Sequence, residues 1–295
     1  MSKQDGTRSG LADPSKLRPI GSSDKQTLRV GIRSRLFRMR IICCLCALLI
    51  LSPAPRLSAT LIPVKHKEGV SHGFLVLRSK DGETLATGDM TQTVEGERVT
   101  TELVLHFKDG SIHDEVTVST QRKQFRLLTD HVRQHGPSFP HPLDVYIDAA
   151  SGNVKVRSEK DGKDKSEEHH LQIPEDAANG LVLILLKNIS PSDPETELSM
   201  VATTSKPRVV KLKIHSEGEQ QFFAGGSERK AIHYVVHISI GGLAGVVAPV
   251  IGKEPPDTHI WMVGGTAPTF VKFEGPLYEE GPIWTIDLAD VKWKK

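Results

Sequence analysis

The sequence predicts a mainly β protein: an antiparallel meander that forms an open or partly closed barrel around one central helix, preceded by a signal peptide. Three observations predict this fold class. Short runs in which apolar and polar residues alternate fill most of the chain after residue 70, as in strands with one buried face. Asp-Gly pairs separate several of these runs, and such pairs favour hairpin turns. Only one stretch, about residues 175–188, has the character of a helix.

Residues 39–59 are predicted to be the signal peptide. The apolar run at 41–51 is too short for a transmembrane helix, which needs about 20 residues, and Arg38 and Arg40 precede it. Small residues before Thr60 offer a cleavage site. The polar lead, residues 1–38, is longer than such signals require, so we interpret Met39 as the start and 1–38 as a disordered basic extension. We therefore expect a periplasmic or secreted protein without a stable transmembrane span after processing, or a membrane-anchored one if the signal is retained.

Cysteine usage and charge exclude several kinds of chemistry and partner for the remaining chain, residues 60–295. The three cysteines, Cys43, Cys44 and Cys46, all lie in the apolar run, so disulfides and thiolate catalysis are not expected after processing. Residues 1–59 hold 11 of the 38 basic and 3 of the 36 acidic residues, which leaves 27 against 33, a net charge of −6, for residues 60–295. This sign is not that of a nucleic-acid binder, so no nucleic-acid partner is expected.

The chain before the helix is predicted to form strands at residues 74–78, 83–94, 99–107, 112–120, 125–132, 143–148 and 154–158. Asp81-Gly82, Asp109-Gly110 and Ser151-Gly152 mark turns between neighbouring strands. Within residues 99–107 the odd positions are mostly apolar, whereas Thr100, Glu102 and His106 are polar. This alternation predicts one buried and one solvated face.

The central helix is predicted from the stretch at residues 174–188. Glu175 and Asp176 follow Pro174, and Lys187 lies near the other end, in agreement with the helix macrodipole. Residues 181–186 are apolar on every side. A helix of this kind must be covered all round, so we expect it to lie as a plug in the concave face of a curved sheet. Periodicity alone leaves a buried strand at 181–186 as the alternative.

Strands resume after the helix, and no break in composition divides the remaining chain. They are predicted at residues 196–203, 208–215, 220–224, 229–240, 258–263, 269–274 and 282–291. Strands on both sides of one central helix predict a single domain at residues 60–295.

Four motifs carry a resemblance to known proteins. They are the strand at 143–148 with its Ser151-Gly152 turn, the helix start at 173–176, the strand at 260–263 and the segment at 268–273. Together they resemble an uncharacterised family of exported bacterial β-meander domains, similar in shape to periplasmic lipoprotein carriers. The resemblance implies an open half-barrel that holds an apolar ligand against a helix. The family usually has an acidic residue after the Trp-containing strand, whereas this chain has Gly264-Gly265.

Catalytic motifs are not found in the sequence. It has neither a Gly-x-Ser-x-Gly nucleophile elbow nor a phosphate-binding glycine loop. His131, His135 and His141, with His169-His170, offer an alternative reading as a metal site. The residue spacing typical of metallohydrolases is missing. We therefore predict no enzyme, no catalytic residue, no metal site and no cofactor.

The leading functional hypothesis is an exported, non-enzymatic binding or carrier domain for an apolar, lipid-like ligand or an envelope partner. The alternative is a structural or envelope-assembly protein whose barrel is filled by its own side chains. Aromatic residues concentrate in the last third of the chain, where core packing also accounts for them. The residues predicted to line the pocket are Leu183, Ile184, Leu186, Trp261, Phe270, Phe273 and Trp284.

Overall fold

The structure, a computed structural model, describes residues 60–160, 163–224, 227–240 and 254–289. These residues belong to one compact unit, Ser58–Lys295. The predicted extension (1–38) and signal peptide (39–59) lie outside the described residues.

Strands dominate the described part of the chain, as the sequence predicts. The first eight are β1 (Ser71–Arg78), β2 (Thr84–Glu95), β3 (Arg98–Phe107), β4 (Ile112–Gln121), β5 (Phe125–His135), β6 (Leu143–Asp148), β7 (Asn153–Lys160) and β8 (Lys163–His170). After the helix α1 (Val182–Leu186) follow β9 (Thr196–Val201), β10 (Val209–Ala224), β11 (Ser227–Ser239), β12 (Thr258–Val263), β13 (Thr269–Gly275) and β14 (Trp284–Leu288).

All of these strands belong to one antiparallel sheet. Its order is β8-β7-β6-β5-β4-β3-β2-β1-β14-β13-β12-β11-β10-β9, so β1 pairs with β14 in the middle of the sheet. The edges are β8 and β9, and no described strand pair joins them. The predicted fold class, an antiparallel meander around one central helix, is therefore confirmed, with the barrel left open.

The predicted Asp-Gly hairpin turns are also confirmed. Gly82 and Gly110 both have positive φ, 84° and 86°, between β1 and β2 and between β3 and β4. These conformations favour glycine because a Cβ atom clashes with the backbone there.

The core lies between the concave face of the sheet and α1. Leu181, Ile184, Leu185 and Leu186 are each at most 3% exposed and belong to one cluster with inward side chains of the sheet. Full burial of an aliphatic side chain stabilises a protein by about 1.5–3 kcal/mol. The buried helix that the sequence predicts therefore contributes substantially to the stability of the fold.

A second, smaller cluster brings the two ends of the sheet together. Val145 and Ile147 of β6 and Val154 and Val156 of β7 pack with Val201 of β9, and all five are fully or almost fully buried. In the described sheet β8 and β9 are not hydrogen-bonded neighbours, and this side-chain packing contributes to holding the two ends together. We call this cluster the seam.

The helix is much shorter than predicted. Instead of 175–188, only Val182–Leu186 is helical, without an acidic residue in its first turn or a basic one in its last. Before it, Ala177 forms a parallel bridge with Ser199 of β9, and Gly180 has a φ of 59°. The backbone of this segment covers the edge of β9, and a left-handed residue cannot continue a right-handed helix. The alternative strand at 181–186 is excluded, because the Leu185 N–H donates to the Leu181 carbonyl at 2.9 Å.

Gly180 is predicted to be required for stability. A Cβ atom at this position would lie 1.7 Å from the Thr117 Oγ1 atom of β4, in addition to the cost of about 1–2 kcal/mol for a left-handed L-residue. We expect Gly180→Ala to lower the free energy of unfolding in urea by at least about 1 kcal/mol more than Gly96→Ala. Gly96 is a matched control, because its φ is 63° and nothing lies within 4 Å of its added Cβ. Equal losses in the two variants would contradict the close contact with Thr117.

Candidate ligand-binding cavity

A cavity of about 1270 Å³ lies between the concave face of the sheet and α1. Pockets for drug-sized molecules are typically about 300–1,000 Å³, so this one has room for a larger ligand. Strands from both halves of the sheet contribute to its wall, together with α1 and the segment before it.

Most of the wall is apolar. The helix presents Val182, Leu183 and Ile184, of which the first two are half-buried because they border the cavity. Opposite strands add aliphatic and aromatic side chains, among them Leu75, Met90, Leu103, Leu212, Val236, Ile260, Phe270 and Phe273. A wall of this composition suits the burial of hydrocarbon.

Four of the seven residues predicted to line a pocket lie on this wall: Leu183, Ile184, Phe270 and Phe273. Leu186 is 2% exposed and lies in the closed core. Trp284 is not a wall residue either. Its ring packs in an aromatic cluster with Phe107, Phe139 and Tyr278, with centroid distances of 5.3, 6.1 and 5.9 Å.

Trp261 lies on the opposite, outer face of the sheet, so its predicted role in the pocket is corrected. Its neighbours along β12, Ile260 and Met262, are buried on the concave side, and successive strand residues point to opposite faces. The Trp261 ring stacks on His233 at a centroid distance of 4.4 Å. Lys272 Nζ lies 4.4 Å from the centroid of the same ring. The sequence could show the aromatic character of Trp261 but not which face of β12 was buried.

Several histidines have hydrogen-bond partners on neighbouring strands or beside them, and one of these, His131, belongs to the group singled out in the sequence, whereas the buried His169 Nε2 atom has no hydrogen-bond partner. His131 bonds Asp144 at 2.8 Å, His233 lies 3.0 Å from His259, and His237 bonds Asp257 at 2.8 Å. Within the described ranges, no group of three or more His, Cys, Asp and Glu side chains is arranged to hold a metal ion. His131, His233 and His237 are therefore better explained as hydrogen-bond partners of neighbouring side chains.

A strip of polar side chains interrupts the apolar wall. His113, Glu115 and Thr117 of β4 and Asp130 of β5 all border the cavity. Thr117 lies opposite Asp130, and Glu115 opposite Val132, in the register of the two strands. The Thr117 hydroxyl donates to Asp130 Oδ1 at 2.8 Å. We call these four residues the polar strip.

Burial perturbs the titration of the polar strip. It raises the pKa of Glu115 to about 8, with a further contribution from the nearby Asp130 charge. Burial also raises the pKa of Asp130 to about 6, against the lowering effects of the Thr117 hydrogen bond and the His131 charge. It lowers the pKa of His113 to about 4. Near neutral pH, Glu115 and Asp130 therefore share about one negative charge beside a neutral imidazole.

A separate buried ion pair lies at the C-terminal end of α1. Lys187 borders the cavity, and its Nζ atom donates to Glu68 Oε2 at 2.7 Å. The same carboxylate accepts from Gln92 Nε2 at 2.8 Å. The charge of Lys187 is therefore already neutralised by Glu68.

The polar strip is the feature that sequence reasoning missed. Along β4 the odd positions are polar, whereas Ile112, Val116 and Val118 occupy even positions. The pattern favours a buried even face, but pairing with β3 places the odd face inside, since Leu105 lies opposite His113 and Val99 opposite Ser119. The sequence does show an unbroken row of polar residues at the odd positions of β4. Whether this row faces inward can be decided only once the register with β3 is known.

No helix in the described residues is long and apolar enough to cross a membrane. Searches against protein-family models, curated proteins and solved structures found no match to this chain.

Proposed function

We propose that this chain is an exported, non-enzymatic binding or carrier protein whose half-barrel holds an apolar, lipid-like ligand against α1. The observation that carries the proposal is the cavity of about 1270 Å³. The resemblance to exported β-meander domains also supports it. The predicted signal peptide at residues 39–59 supports export, so the periplasm or the cell exterior is the compartment that we propose.

The chemistry of the wall supports an apolar ligand. Burial of hydrocarbon contributes about 25 cal/mol per Å², and the half-buried side chains of Val182 and Leu183 would lose their remaining exposure to a bound chain. Core side chains normally fill a protein interior to crystal-like density. A cavity of this size therefore favours a carrier over the alternative, a structural or envelope-assembly protein whose barrel its own side chains fill.

The proposal is tested by binding to the purified full chain. We expect native mass spectrometry after gentle purification to show a co-purifying lipid-sized molecule. We also expect the neutral dye Nile red to fluoresce in the cavity and to be displaced by dodecanol. The same spectra report whether the recovered chain begins at Thr60. Absence of both a bound molecule and dye binding would contradict the carrier proposal and favour the structural alternative.

A further inference from the structure

We propose that the polar strip is a headgroup subsite, and that the cavity takes an amphiphile whose cationic amine lies against Asp130 and Glu115. This inference rests on the proposed function and specifies the chemical class of its ligand. The alkyl chain would extend from the strip along the wall formed by Leu183, Ile184 and Phe270.

The first observation is an unpartnered carboxylate oxygen. Asp130 is 1% exposed, and its Oδ1 atom accepts from Thr117. Its Oδ2 atom is buried and has no hydrogen-bond partner. A buried polar atom without a partner carries a cost in stability. A donor supplied by a ligand would remove this cost.

The second observation is a neighbouring carboxyl group with no cation beside it. Glu115 lies on the same face as Asp130, one diagonal step away in the register of β4 and β5. Among the ion pairs of the described residues, neither Glu115 nor Asp130 takes part. Two acids on an otherwise apolar wall are costly unless a partner compensates them.

The nearby basic side chains of this chain do not supply that partner. Lys187 is bound to Glu68, and His113 is kept neutral by burial, which holds its pKa near 4. His131 and Arg133, on the outward positions of β5, are paired with Asp144 and Asp114. Arg208 also borders the cavity but forms no ion pair with Glu115 or Asp130. Within the described residues the polar strip therefore has no cation paired with it, and a bound molecule would supply one.

The negative charge of the polar strip favours a ligand with a cationic headgroup. An anionic headgroup such as a carboxylate would be repelled by the charge on Asp130. A neutral hydroxyl can satisfy Asp130 Oδ2 with one hydrogen bond but leaves the negative charge uncompensated in an apolar wall, whereas an ammonium also neutralises that charge. The described side chains offer no metal-binding group of three or more ligands. An ammonium, with three donors, fits two adjacent carboxyl groups best.

The test compares three probes with the same alkyl chain on the full-length protein: dodecylammonium, dodecanol and dodecanoate, at about pH 7 and below their micelle concentrations. From the displacement of Nile red, we expect the affinity for dodecylammonium to be at least about tenfold higher than that for dodecanol. The affinity for dodecanoate should be lower than both. Asp130→Asn is expected to abolish this preference, so that dodecylammonium and dodecanol then bind with similar affinity. Glu102→Gln is the matched control, because Glu102 is exposed on β3 and its loss should change no affinity.

The outcomes separate this inference from the proposed function. If dodecanol binds but dodecylammonium shows no advantage, or if Asp130→Asn retains that advantage, the headgroup subsite is refuted and the apolar carrier stands. If no probe binds, both proposals fail. Thermal unfolding of each variant establishes that it is folded before its affinities are compared, and Glu115→Gln provides a second test should Asp130→Asn fail to fold.

Discussion

Replacing Leu183 with glutamine is expected to weaken the binding of Nile red by about 10- to 100-fold. Leu183 borders the cavity and is half-buried, so the glutamine amide would face a bound apolar molecule. Burying an amide without a hydrogen-bond partner costs about 1–3 kcal/mol, and each 1.4 kcal/mol is about a tenfold change in affinity. The measurement is a fluorescence titration of the purified full chain with the neutral dye.

The control for this prediction is Leu183→Met. Methionine keeps the volume and apolar character of leucine, and such replacements usually cost less than about 1.5 kcal/mol, so this variant should bind the dye nearly as well as the native chain. Position 183 is preferable to position 184, because Ile184 is 3% exposed and a polar residue there would also disturb the core. Unchanged binding by Leu183→Gln would show that the dye does not occupy the cavity beside α1.

The double variant Glu115→Gln/Asp130→Asn is expected to be more stable than the native chain at about pH 8, by on the order of 2–4 kcal/mol. The pKa values of Glu115 and Asp130 rise from 4.5 and 3.8 to about 8 and about 6 on folding. Between the unfolded and folded pKa values the native state therefore binds more protons than the unfolded state. The stability contributed by these groups is fully present below about pH 4 and is lost as the pH rises towards 8.

The titration of His113 determines the pH range in which the loss of stability caused by the two acids is clearest. Its pKa falls from 6.5 to about 4 on folding, so it contributes stability that increases with pH between these values and partly offsets the two acids. Above about pH 6.5 that contribution is constant. We therefore expect urea unfolding to show native stability falling between about pH 6.5 and 8, and a flatter dependence in the double variant. A parallel pH dependence in both chains would contradict the raised pKa values, and Glu102→Gln should leave the dependence unchanged.

The helix shows which features of the structure local sequence patterns can predict and which they cannot. The apolar run at 181–186 correctly predicts a buried central helix because no exposed helix could present six such residues to water. The same reasoning placed the helix start at about residue 175, which is wrong. Residues 176–179 pair with the edge of β9 instead, through the Ala178 N–H and the Ser199 carbonyl at 2.8 Å. Pairing with an edge strand elsewhere in the chain cannot be predicted from local helix propensity.

The candidate site was predictable only in its apolar half. Leu183 and Phe270 were proposed because the resemblance to half-barrel carriers implies an apolar pocket between the helix and the last strands. Trp261 was misplaced because the inward face of β12 depends on its register with β11 and β13. The polar strip was missed for the same reason on β4, since a shift of one residue exchanges the two faces of a strand.

By itself, the sequence determined that this chain forms an antiparallel meander around an apolar plug, because alternation, Asp-Gly turns and a run without a polar face are local properties. The tertiary structure alone decided which faces turn inward, that β1 meets β14, that side chains of β6, β7 and β9 pack together at the seam, and that two acids share an apolar cavity. The physical reason is that strand register and cavity walls are set by contacts between residues far apart in sequence, where the burial of many side chains outweighs the preference of any one.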